Sequence, residues 1–524
     1  MSFAPNDNLR RAAAKFGGAN CITHKFLPGS TEEHTVKLLR ELLDLFGITI
    51  DSDAANAAFD CMAVTNERCE EKSAAGSVVV VRTTFTVTDG AGNTKVYERT
   101  GRGAADENAR AAYHRLLKLN LYDIFLRDFN MPPAPWGILH GVRPVKIADR
   151  FIKAGLNTAQ IIDRFRREYA VSDEKAHLMT DIAFRQQPIL QESDERTISI
   201  YVGIPFCRSR CLYCSFPSYV LPNEQKLAEF TDVFMRDLAA AASAVKQCGL
   251  RVENIYVGGG TPTALPENLF AEMLAAVTEN FADSTLKEFT VEAGRPDTIT
   301  SGKIAAMKNR GVTRVSVNPQ TMNGETLKRI GRKHTPEEII AMFYELKKAG
   351  DFHINMDVIL GLPGETADDT AHTMEKISAL APDSVTLHAL TLKRGSRLKT
   401  LFIEGDAPPL LPTNDETRRM YETALSYIAK MGMVPYYLYR QGYMKGDLDN
   451  VGCALPGKMS RYNIKIMAES QTIIGIGGAA ATKVVDKKAG RLKAVFNPKD
   501  LIIYLRDTDF YIQKRAALLN EVYG

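Results

Sequence analysis

The sequence predicts an α/β protein: a partial (βα)6 barrel with an N-terminal α+β domain and a mainly helical C-terminal cap. Three observations predict it. Between Ile198 and Leu387, six short runs rich in β-branched residues alternate with helical stretches, and repeated βα units imply a parallel sheet with right-handed crossovers. The polar and glycine-rich motifs of that region follow directly on the strand runs, where such folds carry their chemistry. The segments on either side lack this rhythm. Six units fall short of the eight that close a barrel, so an open one is expected.

The expected domains are an accessory α+β domain over 1–130, a Pro-rich connector with helices over 131–195, the barrel over 196–395 and the cap over 396–524. In the first, Ser30-Thr31-Glu32-Glu33 reads as a capping box for an amphipathic helix that stops at Gly47. Ser77–Thr88 and Thr94–Thr100 read as a hairpin turning through Asp89–Asn93. Ala104–Phe125 follows as a helix with Ala111, Leu116, Leu119 and Ile124 as expected buried contacts. Pro132-Pro133-Ala134-Pro135 is a stiff connector, followed by the only tryptophan, Trp136, and by helices over 149–185. His140, Arg143 and Lys146 have the chemistry to grip carboxylates, although basic residues beside a connector more often face water.

At 524 residues and 45% hydrophobic, the chain can bury a large core in two or three domains. With 66 basic against 62 acidic residues, composition gives no electrostatic reason to bind nucleic acid or a membrane surface. The start M-S-F-A-P-N-D-N-L-R-R lacks a signal-peptide pattern and no run of eighteen apolar residues occurs, so a cytoplasmic location is expected. Eight cysteines, three of them clustered, suit a reducing compartment.

The barrel opens with Ile198–Val202, and the loop after it places Cys207, Cys211 and Cys214 within Y-V-G-I-P-F-C-R-S-R-C-L-Y-C-S-F-P. Zinc in a structural site normally takes four ligands, and no fourth Cys or His lies before Lys226. Three thiolates on a four-iron cluster leave one iron open to a ligand. A helix is expected over 224–247 and a strand over 254–257, after which Gly258-Gly259-Gly260 lets backbone approach a ligand without a Cβ in the way. Later strand ends offer Glu292, then Asn318 and Gln320, with Arg332 on the helical run beyond, and then Asp357 before Gly361-Leu362-Pro363-Gly364-Glu365. One polar strand end is commonly a helix cap, but several in succession point to one shared ligand site.

The cap is read with a helix over 415–430, a strand over 436–439, and a helix over 501–522. Tyr436, Tyr437, Tyr439 and Tyr443 could stack on a flat ligand or divide between core and surface. Gly475-Ile476-Gly477-Gly478 lacks the setting of a dinucleotide fingerprint.

The cysteine loop resembles that of the radical S-adenosylmethionine superfamily. Together with G-G-G-T-P-T, V-N-P-Q-T-M-N, N-M-D-V-I-L-G-L-P-G-E and G-I-G-G-A, it is similar to the oxygen-independent coproporphyrinogen III oxidase family. W-G-I-L-H-G-V-R-P-V-K-I, E-A-G-R-P-D and P-Y-Y-L-Y-R-Q resemble its long Z-type branch. The resemblance implies a 4Fe-4S cluster on Cys207, Cys211 and Cys214. It also implies S-adenosylmethionine held by Tyr201, Gly259, Gly260, Thr261 and Glu292, with Gln320, Arg332, Asp357, Ala389 and Ala481 at or beside a possible second molecule. The implied activity is oxidative decarboxylation of coproporphyrinogen III, fed by a one-electron donor such as a flavodoxin or ferredoxin. Arg143, Lys146, Lys393, Arg394 and Arg440 are the expected partners of the substrate's carboxylates. Phe216 stands where the oxidase branch has a fourth cysteine, an ending that also resembles the haem-chaperone branch. A haem-binding chaperone and a radical methyltransferase or other tetrapyrrole-modifying enzyme are therefore the alternatives.

Overall fold

The structure, a computed structural model, describes residues 22–24, 61–73, 76–88, 93–104, 107–192, 194–393, 395–405, 409–441 and 448–524. The helix expected from Ser30, most of the turn at Asp89–Asn93, Arg394 and Tyr443 lie outside the described residues. The chain divides into two compact units, Met1–Gly141 with Arg150–Thr180, and Val142–Asp149 with Asp181–Gly524.

The smaller unit carries a four-stranded sheet in the order β1 (Ile22–His24), β2 (Cys61–Ser73), β3 (Gly76–Thr88), β4 (Thr94–Arg102). The expected hairpin is β3 with β4, paired from Thr88↔Thr94 outward; β2 was not foreseen. Helix α1 (Ala109–Asp128) starts on an Asn108 cap and buries Leu117, Leu121 and Phe125 beside Phe85 of β3. Leu116 and Ile124 are buried as expected, whereas Ala111 is exposed, because the inward face runs through Ala112 and Leu116. Asn120 lies on that face, and its amide donates to the Val81 carbonyl at 2.9 Å, as a buried amide must find a partner. The chain continues through α2 (Val145–Lys153), α3 (Thr158–Tyr169) and α4 (Asp173–Gln191).

The larger unit is built on an eleven-stranded sheet. Its centre is β5 (Thr197–Ile204), β8 (Arg251–Gly259), β9 (Glu288–Glu292), β10 (Arg314–Gln320), β11 (His353–Leu360) and β12 (Ser384–Ala389), side by side in chain order and all parallel. The small pair β6 (Phe206–Cys207) and β7 (Tyr219–Val220) frames the cysteine loop. Helices α5 (Glu224–Gln247), α6 (Glu267–Phe281), α7 (Ser301–Asn309), α8 (Gly324–Arg329), α9 (Pro336–Ala349) and α10 (Ala367–Leu380) make the crossovers. The sheet does not close, in keeping with the expected partial barrel.

The strands alternate with period two. Ile198, Ile200, Val202, Phe289, Val291, Val315, Val317, Met356, Val385 and Leu387 join the apolar core with the crossover helices, while the residues between them are polar. Register lines these polar residues up across strands: Ser199↔Asn254↔Glu288, Tyr201↔Tyr256↔Thr290, and Glu292↔Ser316↔Asn355↔Ser384. One face of the sheet is thus a hydrogen-bonded polar surface, with Ser384 Oγ donating to Asn355 Oδ1 at 3.0 Å and Asn355 Nδ2 to Ser316 Oγ at 3.1 Å.

The chain from 396 onward is largely helical, with α11 (Arg397–Glu404), α12 (Asn414–Lys430), α13 (Arg461–Ala468) and α14 (Leu501–Tyr523). It also supplies five strands, four of them unforeseen. β13 (Val434–Tyr439) and β14 (Asn450–Ala454) extend the sheet antiparallel beyond β12, while β15 (Thr472–Gly477) runs parallel beside β5, followed by β16 (Ala481–Asp486) and β17 (Arg491–Phe496). Helix α13 reaches the polar face because buried Glu288 of β9 accepts from Ser460 Oγ at 2.7 Å and from the backbone N–H groups of Arg461 and Tyr462, where a carboxylate complements the positive helix N-terminus. Among the described residues no helix is long and apolar enough to cross a membrane.

Candidate functional site: a polar cavity at the strand ends

The carboxyl ends of the parallel strands open into a cavity of about 570 Å³. Its lining gathers Cys207, Cys211 and Cys214 from the first loop, Gly259, Gly260 and Thr261 from the second, Glu292 from the third, and Gln320 with Arg332 from the fourth. Asp357, Ala389 and Tyr201 complete it. Twelve of the thirteen residues predicted for the cluster and the nucleoside ligand therefore share one wall. The exception is Ala481, which heads β16 and sits against Gly475, because the turn after β15 folds it back onto the sheet.

The cysteine loop and the glycine loop fit face to face. A Cβ on Gly260 would lie 2.9 Å from the Cys207 sulfur and 2.5 Å from the Phe206 carbonyl oxygen, and Gly259 has φ 112°, so both positions require glycine. Thr261 donates to Cys207 Sγ at 3.5 Å. Burial raises the thiols of Cys207 and Cys214, so as thiolates they call for a cationic partner. Among the described residues no three Cys, His, Asp or Glu side chains converge on one metal-ion position, which a tetrahedral ion bound at about 2.0–2.3 Å would require. A cluster that meets each cysteine at a different iron has no such requirement, so the donor set fits the cluster better than a single ion.

Arg332 lies buried beside this loop. Its Nη1 donates to the Asn318 carbonyl at 2.6 Å and its Nη2 to the Tyr213 hydroxyl at 3.3 Å, while its Nε has no partner among the described residues. Burial opposes the charge, but Tyr213 and Cys211 outweigh it and raise the pKa further. Gln320 ends β10 at φ 67° after a break in strand register; a non-glycine residue held there marks a site where the surroundings hold a strained backbone in place.

The same lining carries two carboxylates of contrasting character. Burial pushes Glu292 up to about 7, with the Asp357 charge adding to the shift, while the Tyr256 hydroxyl, donating at 2.6 Å, works against it. Burial would also raise Asp357, but His388, Asn355 and Thr386 outweigh it and hold the group below the usual carboxylate range; Asn355 Nδ2 donates to it at 2.8 Å. An acidic pair so divided is suited to cationic or hydroxyl-bearing ligands.

Several lining residues were not foreseen. Tyr256 and Tyr462 stack in series on the expected Tyr201, with ring centroids 6.1 Å apart for Tyr201 and Tyr256 and 4.6 Å for Tyr256 and Tyr462. The period-two pattern of the strands was a usable signal for Tyr256. Nothing local marks Tyr462, which depends on the Glu288 cap. His388 lies 3.8 Å from Asp357 through Nε2 and 3.1 Å from the Tyr439 hydroxyl through Nδ1. Of the tyrosines considered for stacking, Tyr437 and Tyr439 line the cavity and Tyr436 points into a separate apolar cluster. Of the candidate cations, Lys393 lines the cavity, Arg143 and Lys146 both pair with Glu469, and Arg440 is buried with its Nε 4.0 Å from Asp449.

Comparison with known proteins identifies the lineage. Residues 201–377 match the radical SAM superfamily. The chain is 37% identical over 394 residues to the oxygen-independent coproporphyrinogen-III oxidase-like protein HemZ of Bacillus subtilis, covering 74% of this chain and 77% of HemZ. It is 32% identical to the heme chaperone HemW of Lactococcus lactis, over 54% of this chain and 69% of that protein. Among solved structures, the coproporphyrinogen III oxidase HemN of Escherichia coli aligns over 63% of this chain and 72% of its own at 22% identity, with a TM-score of 0.49. The superfamily's cofactors are a 4Fe-4S cluster and S-adenosylmethionine. With its cysteine triad at the mouth of an open parallel barrel, the chain belongs to the radical SAM superfamily and, within it, to the oxygen-independent coproporphyrinogen-III oxidase-like family.

Proposed function

We propose that the chain is a cytoplasmic radical SAM enzyme that acts on a tetrapyrrole, converting coproporphyrinogen III to protoporphyrinogen IX by oxidative decarboxylation. The observation that carries this reading is the extent of the likeness to HemZ, 77% of whose length this chain covers. Cys207, Cys211 and Cys214 hold the cluster. Tyr201, Gly259, Gly260, Thr261 and Glu292 hold S-adenosylmethionine, and Gln320, Arg332, Asp357 and Ala389 extend the pocket toward a second molecule. When bound, these groups supply one-electron chemistry and a carbon radical able to remove a hydrogen atom. The residues of the chain position and shield. The glycine loop leaves room against the cysteine loop, the buried Arg332 offers a fixed positive charge, and the tyrosine stack walls off water. Of the cations expected to meet the propionates, Lys393 lines the cavity, which supports that role for it.

In the proposed reaction each reacting propionate gives a hydrogen atom to the carbon radical and an electron to a one-electron acceptor, and as its carbon–carboxyl bond breaks to release carbon dioxide it becomes a vinyl group. Anaerobic incubation of reconstituted protein with S-adenosylmethionine, a reductant and coproporphyrinogen III tests it, by mass detection of a product lighter by two carboxyl losses. Cys211→Ala, which removes the most buried of the three thiols, is expected to abolish the brown chromophore and S-adenosylmethionine cleavage together. Cleavage persisting in that variant would refute the cluster assignment.

The second reading is haem binding without decarboxylation. Phe216, in place of a fourth cysteine, and the 32% identity to HemW favour it. It predicts stoichiometric haem uptake and no vinyl product in the same incubation.

A further inference from the structure

We infer that the amino ends of the parallel strands hold a second ligand site, one for a phosphate-bearing small molecule of nucleotide size. A cavity of about 730 Å³ opens there, within the size range of small-molecule pockets. Lys287 and Glu288 line it where β9 begins, Thr313 and Arg314 where β10 begins, and Phe352 and His353 where β11 begins. It shares no lining residue with the cavity at the carboxyl ends, so the inference does not depend on the proposed function.

The lining holds four cations, Lys287, Lys308, Arg314 and Arg461, against two carboxylates, Glu288 and Asp351. Two of the cations are already neutralised. Lys287 pairs with Glu192 at 2.9 Å, and Arg461 with Glu192 at 2.7 Å and Glu253 at 2.6 Å. Lys308, exposed near the end of α7, has no carboxylate within ion-pair distance among the described residues. Its stem lies along Gly350, where a Cβ would sit 3.7 Å from the Lys308 Cδ and Cε. Arg314, 4% exposed, donates through Nη1 to Ser384 Oγ at 3.3 Å and through Nη2 to the Lys458 carbonyl at 2.6 Å. Its Nε has no hydrogen-bond partner among the described residues. Glu288 Oε2 stays 3.6 Å away, because both oxygens of that carboxylate are held by Ser460 and the start of α13.

Cations at the amino ends of barrel strands ordinarily serve stability, as Lys287 and Arg461 do through their pairs. Lys308 and Arg314 differ: one cavity holds an unpaired ammonium and a buried guanidinium one acceptor short. Lys458, which donates to the lining His353 at Nε2 over 2.9 Å, shares its carboxylate partner Asp383 with Lys347, so a further positive charge here is only partly compensated. A guanidinium fork with ammonium groups matches a phosphate, which brings up to two negative charges and three acceptor oxygens. A bare ion would fill little of the cavity. Ile189, Val312 and Met459 give the rest of the lining an apolar wall, suited to the body of a larger ligand.

The test titrates UMP into the full-length protein by calorimetry, with uridine as the phosphate-free arm and citrate as the carboxylate arm. UMP lacks the adenine that the other cavity is proposed to hold. It is expected to bind with a Kd of about 1 mM or below, while uridine gives no binding at that concentration. Lys308→Glu should weaken UMP binding by about tenfold or more, and Asp351→Asn, which removes a repelling carboxylate, should tighten it by about two- to threefold. Lys488→Glu, on a turn outside the cavity lining, is the control and should change nothing. All three substituted side chains are exposed, so each variant keeps the fold. Absence of UMP binding at about ten times that concentration, uridine binding as well as UMP, or citrate binding more tightly than UMP would overturn the site. So would equal loss in the control or displacement of UMP by S-adenosylmethionine.

Discussion

Glu292 shows how a single residue couples burial to ligand chemistry. An ordinary glutamate titrates near 4.3, and burial pushes this one up to about 7. In the ligand-free fold the neutral form is therefore favoured. A raised carboxyl contributes stability that is full below its unfolded pKa and is lost as pH rises through the folded one, because between about 4.3 and 7 the native state holds the extra proton. S-adenosylmethionine carries an ammonium and a sulfonium, and either charge beside Glu292 favours the carboxylate. Binding at pH 6 is thus expected to release close to one proton per ligand, read by calorimetry in two buffers of different ionisation heat. Glu292→Gln should abolish that release and weaken binding. An equal release from wild type and variant would show that Glu292 does not face the ligand's charge.

At the scale of elements, the legible parts of the sequence were those whose signals are local. The cysteine spacing, the glycine run after β8 and the strand-end carboxylates are contiguous motifs, so the loop, the polar wall and the six parallel strands could be read before any fold was known. What escaped depends on distant partners. Asn450–Ala454 has no strand periodicity of its own and becomes β14 by pairing with β12 and β13. Tyr462 enters the cavity because Glu288 caps α13. Helix α14 was visible as an apolar helix, but not the tie that anchors it. Arg515, 2% exposed, pairs at 2.7 Å with Asp237 of α5, itself 1% exposed, and donates to the Gly475 and Asp237 carbonyls. Asp237 also accepts from the Gly477 N–H and the Tyr504 hydroxyl. Removing one member of a buried pair leaves the other charge uncompensated. Arg515→Ala is expected to cost about 3–5 kcal/mol, seen as a lower denaturant midpoint at unchanged slope. A loss below about 1 kcal/mol would mean that the remaining donors satisfy Asp237 without the guanidinium.

Across the whole molecule, each compact unit has its own buried core, around Phe85, Leu117 and Phe125 in the smaller and around the parallel sheet in the larger. Every residue lining the candidate cavity belongs to the larger unit. A ligand that binds only the native state stabilises the unit that holds it, by about 2.7 kcal/mol at a hundredfold excess over its dissociation constant. Unfolding enthalpy scales with the number of residues ordered, so the transition of larger heat should be that of the sheet-bearing unit. Scanning calorimetry of the reconstituted protein under anaerobic conditions is therefore expected to show two transitions. S-adenosylmethionine should move the larger one upward by a few degrees and leave the smaller in place. Cys211→Ala should lower the larger transition and remove its response to the ligand, because the loss of one cluster thiol and the loss of the ligand's anchoring iron fall in the same unit. A single transition that shifts as a whole would show instead that the two units unfold as one, and that the N-terminal sheet shares in the stability of the catalytic wall.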